Sequence, residues 1–415
     1  MMRVLFVHQS FPGQYRHILR ALAAQKVHQL VGLGIEAPSE PIPEGVTYLR
    51  YSLSRGNTPG VHEWLLDLDS KLIRGEACAT AAAQLRDQGF QPDLICAHPG
   101  WGEALFLREI WPIVPLLSYQ EFFYQARGVD YDFDPELQGE PDWRDCARLR
   151  FKNANPLLML QASSWNVTPT QFQRSTFPQE WQSRISVIHD GIDTQLAAPD
   201  PAVAALTLPD GTLLSPGDPT ITFVNRRIEP YRGCHTFIRA IPELQQRHPQ
   251  ARIVVVGATE GVSYGKPAPG DRWRDVFLQE IEGSYNPERV HFTGSLAYST
   301  FLQLLKLSAC HVYLTYPFVL SWSLLEAMST ACAIVGSATA PVMEVIRDGH
   351  NGLLVDFFSP KAIAEAVDQL LRDRKLAKQL GSQARNDALA RYSLERCLPR
   401  QLELIDLVAS GALGR

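Results

Sequence analysis

No C-x-x-C pair occurs in the 415 residues, and the seven cysteines, Cys78, Cys96, Cys146, Cys234, Cys310, Cys332 and Cys397, are scattered. An odd, dispersed set in a large chain reads as reduced thiols. It excludes a disulfide framework and points to a cytoplasmic protein. No apolar run approaches the roughly 18 residues that cross a bilayer, so stable membrane insertion is not expected. The start is not a signal peptide either, because Arg3–His8 is a short apolar run that reads as a first buried strand. One-sided charge is also missing. There are 39 Lys and Arg against 44 Asp and Glu, a net charge of −5, which argues against a nucleic-acid partner.

Several catalytic motifs are absent. No H-E-x-x-H or Cys/His cluster suggests zinc, and no metal is expected. The G-x-S-x-G of a serine hydrolase does not occur. Gly261–Lys266 falls one residue short of a phosphate loop, and no G-x-G-x-x-G follows the first strand of either half.

What is there is an ordinary globular composition, 45% hydrophobic and 20% charged, in a length suited to two or three domains. Short apolar runs alternate with amphipathic stretches. Val4–Val7, Leu94–Ala97, Val114–Leu117, Trp165–Thr168 and 185–188 read as strands. Helices are expected at Tyr15–Ala24 and Glu103–Ile110. Residues 198–219 are crowded with proline and read as a linker. The alternation then restarts with strands at Ile221–Asn225, Ile253–Val256, Val290–Phe292, Cys310–Leu314 and Ala333–Val335. Helices are expected at 235–246, Ser299–Ser308, Ser323–Ser329 and Pro360–Arg372, and a last one at Leu394–Val408. The fold class is α/β, with two Rossmann-like parallel-sheet domains, 1–197 and 220–393, facing a cleft. Ligands of such sheets sit beyond the carboxyl ends of the strands, so the residues there are the candidates.

Four strand ends carry chemistry. Arg227 and Arg232 lie five residues apart between a strand and a helix. Two guanidiniums so held suit a diphosphate, and they equally fit solvated loop charges. After the same domain's strand at Cys310–Leu314 comes Tyr316-Pro-Phe-Val-Leu-Ser-Trp-Ser323. Ser321 or Ser323 would cap the following helix, and the backbone N–H groups near Leu320, Ser321, Trp322 and Ser323 would bind an anion. Glu326, one turn in, suits two ribose hydroxyls, or simply favours its helix dipole. In the first domain His98-Pro-Gly-Trp-Gly-Glu103 follows a strand, and His98 would donate to a sugar hydroxyl or pack at the domain surface. Gly13, in His8-Gln-Ser-Phe-Pro-Gly-Gln14, marks a tight turn near a helix start.

Together these residues resemble glycosyltransferase family 4, the retaining group with the GT-B fold. Arg227…Arg232-Gly233 is similar to the family's phosphate clamp, with Arg for Lys. Val187–Asp193 resembles its V-I-P-N-G-V-D, and Ile253–Gly257 its V-x-x-V-G strand. Gly294, Ser295 and Leu296 look like the loop that holds the nucleotide base. Glu344–Val355 is close to E-V-I-x-D-G-x-N-G-L-L-V. The His8–Gln14 and His98–Glu103 segments resemble a bacterial subgroup.

The resemblance implies a donor domain at 220–393 and an acceptor domain at 1–197, with helix 394–415 crossing back to it. It also implies a nucleoside-diphosphate-sugar donor, UDP first, no cofactor, and a small-molecule, glycan or lipid-linked acceptor. His98, Arg227 and Arg232 would be catalytic, Glu326 would hold the ribose, and Glu121 would lie near the acceptor. One departure stands out. The first glutamate of the family's E-x7-E falls on Phe318, and the family uses that carboxylate to touch the donor sugar. A nucleotide-sugar epimerase of the same fold and a non-catalytic nucleotide-sugar-binding protein are the alternatives.

Overall fold

The computed structural model describes residues 1–270 and 272–414. The chain divides into two compact units. The first comprises Met1–Asp190 and a later segment that begins at Cys397, and the second comprises Gly191–Arg396.

The first unit has seven parallel strands: β1 (Arg3–Val7), β2 (Gln29–Gly34), β3 (Val46–Arg50), β4 (Leu94–Ala97), β5 (Leu116–Tyr119), β6 (Trp165–Thr168) and β7 (Ile185–Val187). Their order is β3-β2-β1-β4-β5-β6-β7, so the chain reverses direction across the sheet between β1 and β4. Side chains alternate between two apolar layers, which is why the inner strands read as continuous apolar runs. Leu5, Val7 and Ile95 pack on one face with Cys78, Ala82 and Leu85 of the helix Leu66–Asp87. Val4, Phe6, Leu94 and Cys96 pack on the other, against Leu19 and Leu22. Leu404, Ile405 and Val408, on the helix Leu394–Ala409, complete that second layer.

The second unit opens with a short antiparallel pair, β8 (Leu206–Thr207) and β9 (Leu213–Leu214). Here the structure differs from the linker reading of 198–219. Leu206, Leu208 and Leu214 are buried in this unit's own core, while the prolines fall around the strands and turns. Burial of three leucines outweighs what the proline content suggested.

Six parallel strands follow: β10 (Thr220–Arg227), β11 (Arg252–Ala258), β12 (Val290–Gly294), β13 (Cys310–Tyr313), β14 (Ile334–Ser337) and β15 (Leu353–Val355). Their order is β12-β11-β10-β13-β14-β15, with the reversal between β10 and β13. Phe223 stacks on Phe237 of the helix Cys234–Arg247 at 4.3 Å on one face. Val224, Val254 and Tyr313 face Leu304 and Leu305 on the other. All seven cysteines are free thiols. Among the described residues no helix is long and apolar enough to cross a membrane.

Candidate active site

Each sheet has one topological switch point, and the candidate residues gather there. In the second unit the β10 strand runs to Arg227 and a short 3-10 turn, Pro230–Arg232, leads to the helix Cys234–Arg247. Gly233 makes the junction with φ +70°, and a Cβ there would lie 2.5 Å from Leu314 Cβ. Only glycine lets the helix start so close to the end of β13.

Arg232 is buried under that end. Its Nη1 donates to Thr315 Oγ1 at 2.9 Å and to the Val319 carbonyl at 2.8 Å. Its guanidinium lies 5.6 Å from the Tyr264 ring and 5.8 Å from the Phe318 ring. Arg227 is partly exposed, and its Nη1 donates to the Glu260 carbonyl.

The β13 end supplies the second half of this site. Ser321 caps the helix Trp322–Ser329, its Oγ accepting from Ser323 N–H. The Ser321 N–H donates to Tyr313 Oη at 2.8 Å. Burial raises the Tyr313 pKa, against the pull of Arg232 and this N–H, so the phenol stays protonated. Leu320 and Trp322 pack partly buried against the core and hold the helix start in place. Glu326 is buried one turn in, and Tyr298 Oη donates to its Oε1 at 2.8 Å. Gly294 ends β12 with φ +68°, and Leu296 just beyond it packs partly buried against the same core. Arg232, the helix start and Glu326 thus belong to one unit and one switch point.

His8 and His98 sit at the switch point of the first unit. His98, wholly buried beyond β4, accepts the Gly100 N–H at Nδ1 over 3.1 Å. Its ring stacks between Trp101 at 4.6 Å and Tyr119 at 5.3 Å. The proton therefore sits on Nε2, which has no partner in the structure. Burial, reinforced by His8, holds the His98 pKa well below its ordinary value, so the ring is neutral. His8 Nε2 pairs with Gln14 Oε1 at 2.7 Å, and burial lowers its pKa to about 4. Gly13 lies under that ring, since a Cβ there would come within 2.3 Å of His8 Nε2. Glu121 follows β5 and is partly exposed, with its carbonyl accepting from Gln173 Nε2. Its charge acts on Tyr119, whose pKa burial raises well above the usual range.

Three positions beside these sites were missed by sequence reasoning. Tyr119 is the last residue of β5, so attention to the strand end would have found it. Glu229 and Tyr264 carry no such signal, because they meet only through a pairing 35 residues apart. Phe318 is only 1% exposed and packs against Tyr231 and Tyr264, and Tyr231 packs in turn against Tyr316. Among the described residues no group of three or more His, Cys, Asp or Glu side chains forms a metal site.

Residues 26–197 match the model of the glycosyl transferase family 4 group, and 210–387 match that of glycosyl transferases group 1. An uncharacterized glycosyltransferase of Methanocaldococcus jannaschii is 30% identical over 161 residues, 39% of this chain and 38% of that protein. Two further curated relatives match over 43% and 45% of their length. The chain thus spans less than half of these relatives. Sucrose-phosphate synthase from Thermosynechococcus elongatus superposes with a TM-score of 0.73 at 17% identity, covering 99% of this chain and 100% of that one. Anabaena HepE, solved with UDP and glucose, gives 0.67 at 16% identity, covering 98% and 100%. These likenesses show the GT-B fold. With two consecutive family models spread over most of its length, the chain belongs to the family 4 type of glycosyltransferases.

Proposed function

We propose that the chain transfers a sugar from a nucleoside diphosphate, UDP in the first instance, to an acceptor hydroxyl with retention at the anomeric carbon and without a metal ion. The observation that carries this reading is Arg232. Its guanidinium is fixed by Thr315 and Val319 at the switch point between β10 and β13, beside a capped helix start. As the anomeric bond breaks, negative charge grows on the diphosphate. Arg232, Arg227 and the positive end of the helix Trp322–Ser329 stabilise it, as preorganised charges and dipoles do in electrostatic catalysis. The Ser321 and Ser323 N–H groups themselves are taken up by Tyr313 Oη and Ser321 Oγ. Glu326, oriented by Tyr298, binds the ribose, and the Gly294–Leu296 turn holds the base. Neutral His98 offers its Nε2–H to the donor sugar. The acceptor oxygen bonds to the anomeric carbon as the phosphate leaves, and the acceptor proton passes to that phosphate. HepE is a relative in fold whose structures hold UDP and UDP-glucose, which favours UDP as the first nucleotide to test.

Thermal shifts with UDP, GDP and ADP, each with a chelator present, test the donor half. A nucleotide at 100 times its Kd stabilises by about 2.7 kcal/mol. A selective shift that survives chelation, with an α-linked product from an α-linked donor, is the expected result. Binding that needs a divalent cation, or a product of inverted configuration, overturns the corresponding part.

A further inference from the structure

The diphosphate clamp carries a wall that the reaction has not used. β11 ends at Ala258, and the chain from Thr259 to Lys266 folds back over the clamp. Arg227 Nη1 donates to the Glu260 carbonyl. Glu229 lies between the two arginines in sequence and is 1% exposed. Its Oε2 accepts the Ser263 N–H at 2.6 Å and the Tyr264 N–H at 3.2 Å. Two backbone N–H groups converging on one buried carboxylate oxygen pin the loop at those two residues. The pinning places the Tyr264 ring against the Arg232 guanidinium.

A sugar bonded to a phosphate on Arg232 comes within reach of whatever lies about 6 Å from that guanidinium. The Tyr264 and Phe318 rings lie there. Phe318 is closed off, because Tyr264 meets it at 4.6 Å and Tyr231 at 5.3 Å, leaving it 1% exposed. Tyr264 is partly exposed.

We infer that Tyr264 is the residue that selects the donor sugar, that Glu229 positions it, and that the side chain at 318 touches no sugar. The inference rests on the transferase reading above. It assigns a donor class read by an aromatic surface instead of by a carboxylate that takes two hydroxyls. A carboxylate-lined site rejects a sugar lacking the paired hydroxyl by several orders of magnitude, because its polar group is left unpaired. An aromatic wall discriminates by shape and more weakly.

The experiment is a donor panel of UDP-glucose, UDP-galactose and UDP-N-acetylglucosamine, with kcat/KM measured for each, and UDP affinity measured separately. Tyr264→Ala is expected to change the ratio between the two best donors at least 10-fold while the Kd for UDP moves less than 3-fold. Glu229→Gln is expected to shift the same ratio in the same direction, mainly through KM. Phe318→Leu is expected to leave the ratio within 3-fold. UDP affinity reports whether each variant has kept its fold. A ratio unchanged in Tyr264→Ala with UDP binding intact overturns the inference alone, as does a shift in Phe318→Leu as large as that in Tyr264→Ala. Failure of the unaltered protein to bind UDP or to turn over any sugar nucleotide overturns the transferase reading, and this inference with it.

Discussion

His8 and His98 lie with ring centroids 5.2 Å apart, and each gives its Nδ1 to the backbone N–H two residues downstream, Ser10 and Gly100 respectively. The same local loop geometry is used at the ends of β1 and β4, the two strands that flank the reversal of the first sheet. It fixes both rings as Nε2–H tautomers and keeps two cations from forming side by side. The pair is therefore neutral, with His8 Nε2–H spent on Gln14 Oε1 and His98 Nε2–H left without a partner among the described residues.

Acid should expose this arrangement as lost stability. Unfolded histidine takes up a proton near pH 6.5, but native His8 refuses it until about pH 4. The contribution is complete above pH 6.5 and is lost as the pH falls towards 4, at about 1.4 kcal/mol per pH unit. Buried Glu103 and Glu229 act in the opposite sense, because burial raises their pKa values. The effect is therefore read as a difference. Denaturant unfolding between pH 6.5 and 4.5 should be steeper in pH for the unaltered protein than for His8→Gln, and equal slopes would refute it.

Arg232→Ala should lower kcat at least 100-fold, near the lower edge of the ~2.7–4 kcal/mol attached to one preorganised donor. Arg232→Lys should recover only part, since an ammonium lacks the planar fork that keeps further N–H donors for phosphate oxygens while Nη1 holds Thr315 and Val319. Steady-state kinetics at saturating donor decide it. Turnover near the wild-type value in Arg232→Ala would remove this residue from the chemistry.

Gly233→Ala tests the junction between clamp and helix. The left-handed backbone costs a residue with a Cβ about 1–2 kcal/mol, and the overlap with Leu314 adds about 1–3 kcal/mol. For a unit of this size the melting temperature should fall by roughly 5–15 °C. Nucleotide affinity should fall with it, because Arg232 immediately precedes the junction. A melting temperature within a degree of the unaltered protein would show that the helix shifts without strain.

Tyr298→Phe removes the hydroxyl that donates to Glu326 and leaves the ring. Hydrogen bonds to charged groups contribute about 1.5–3 kcal/mol, and Tyr298 is 44% exposed, which weakens this one. Donor KM should rise about 3- to 10-fold with kcat nearly unchanged. A drop in kcat at constant KM would place Glu326 in the chemical step instead of in ribose binding.

The legible parts of the site were the local ones. Arg227, Arg232 and Gly233 fall within one strand-turn-helix, so spacing alone brings them to a strand end. Ser321 and Glu326 share one helix turn and were equally visible. Glu229 was not, because its partners lie 34 and 35 residues away, in a loop whose Gly and Ser content carries no pattern. Phe318 was visible as a departure, but its enclosure by Tyr231 and Tyr264 needed coordinates. The fold shows the same divide. The strand Gln29–Gly34 escaped notice because two of its six residues are glycine. The hairpin at 206–214 was hidden by the prolines around it.

The first unit is discontinuous, and this bears on how the chain is made. A ribosome releases Met1–Asp190 long before Leu404, Ile405 and Val408, which close the layer over Val4 and Phe6. The second unit is complete once Arg396 has emerged. Domains generally fold as they appear, the earliest first. Here that order is reversed at the finish, since the unit begun first must wait with an apolar face uncovered until the segment after Cys397 arrives. The nascent first unit is accordingly the stage at which this protein most needs a chaperone.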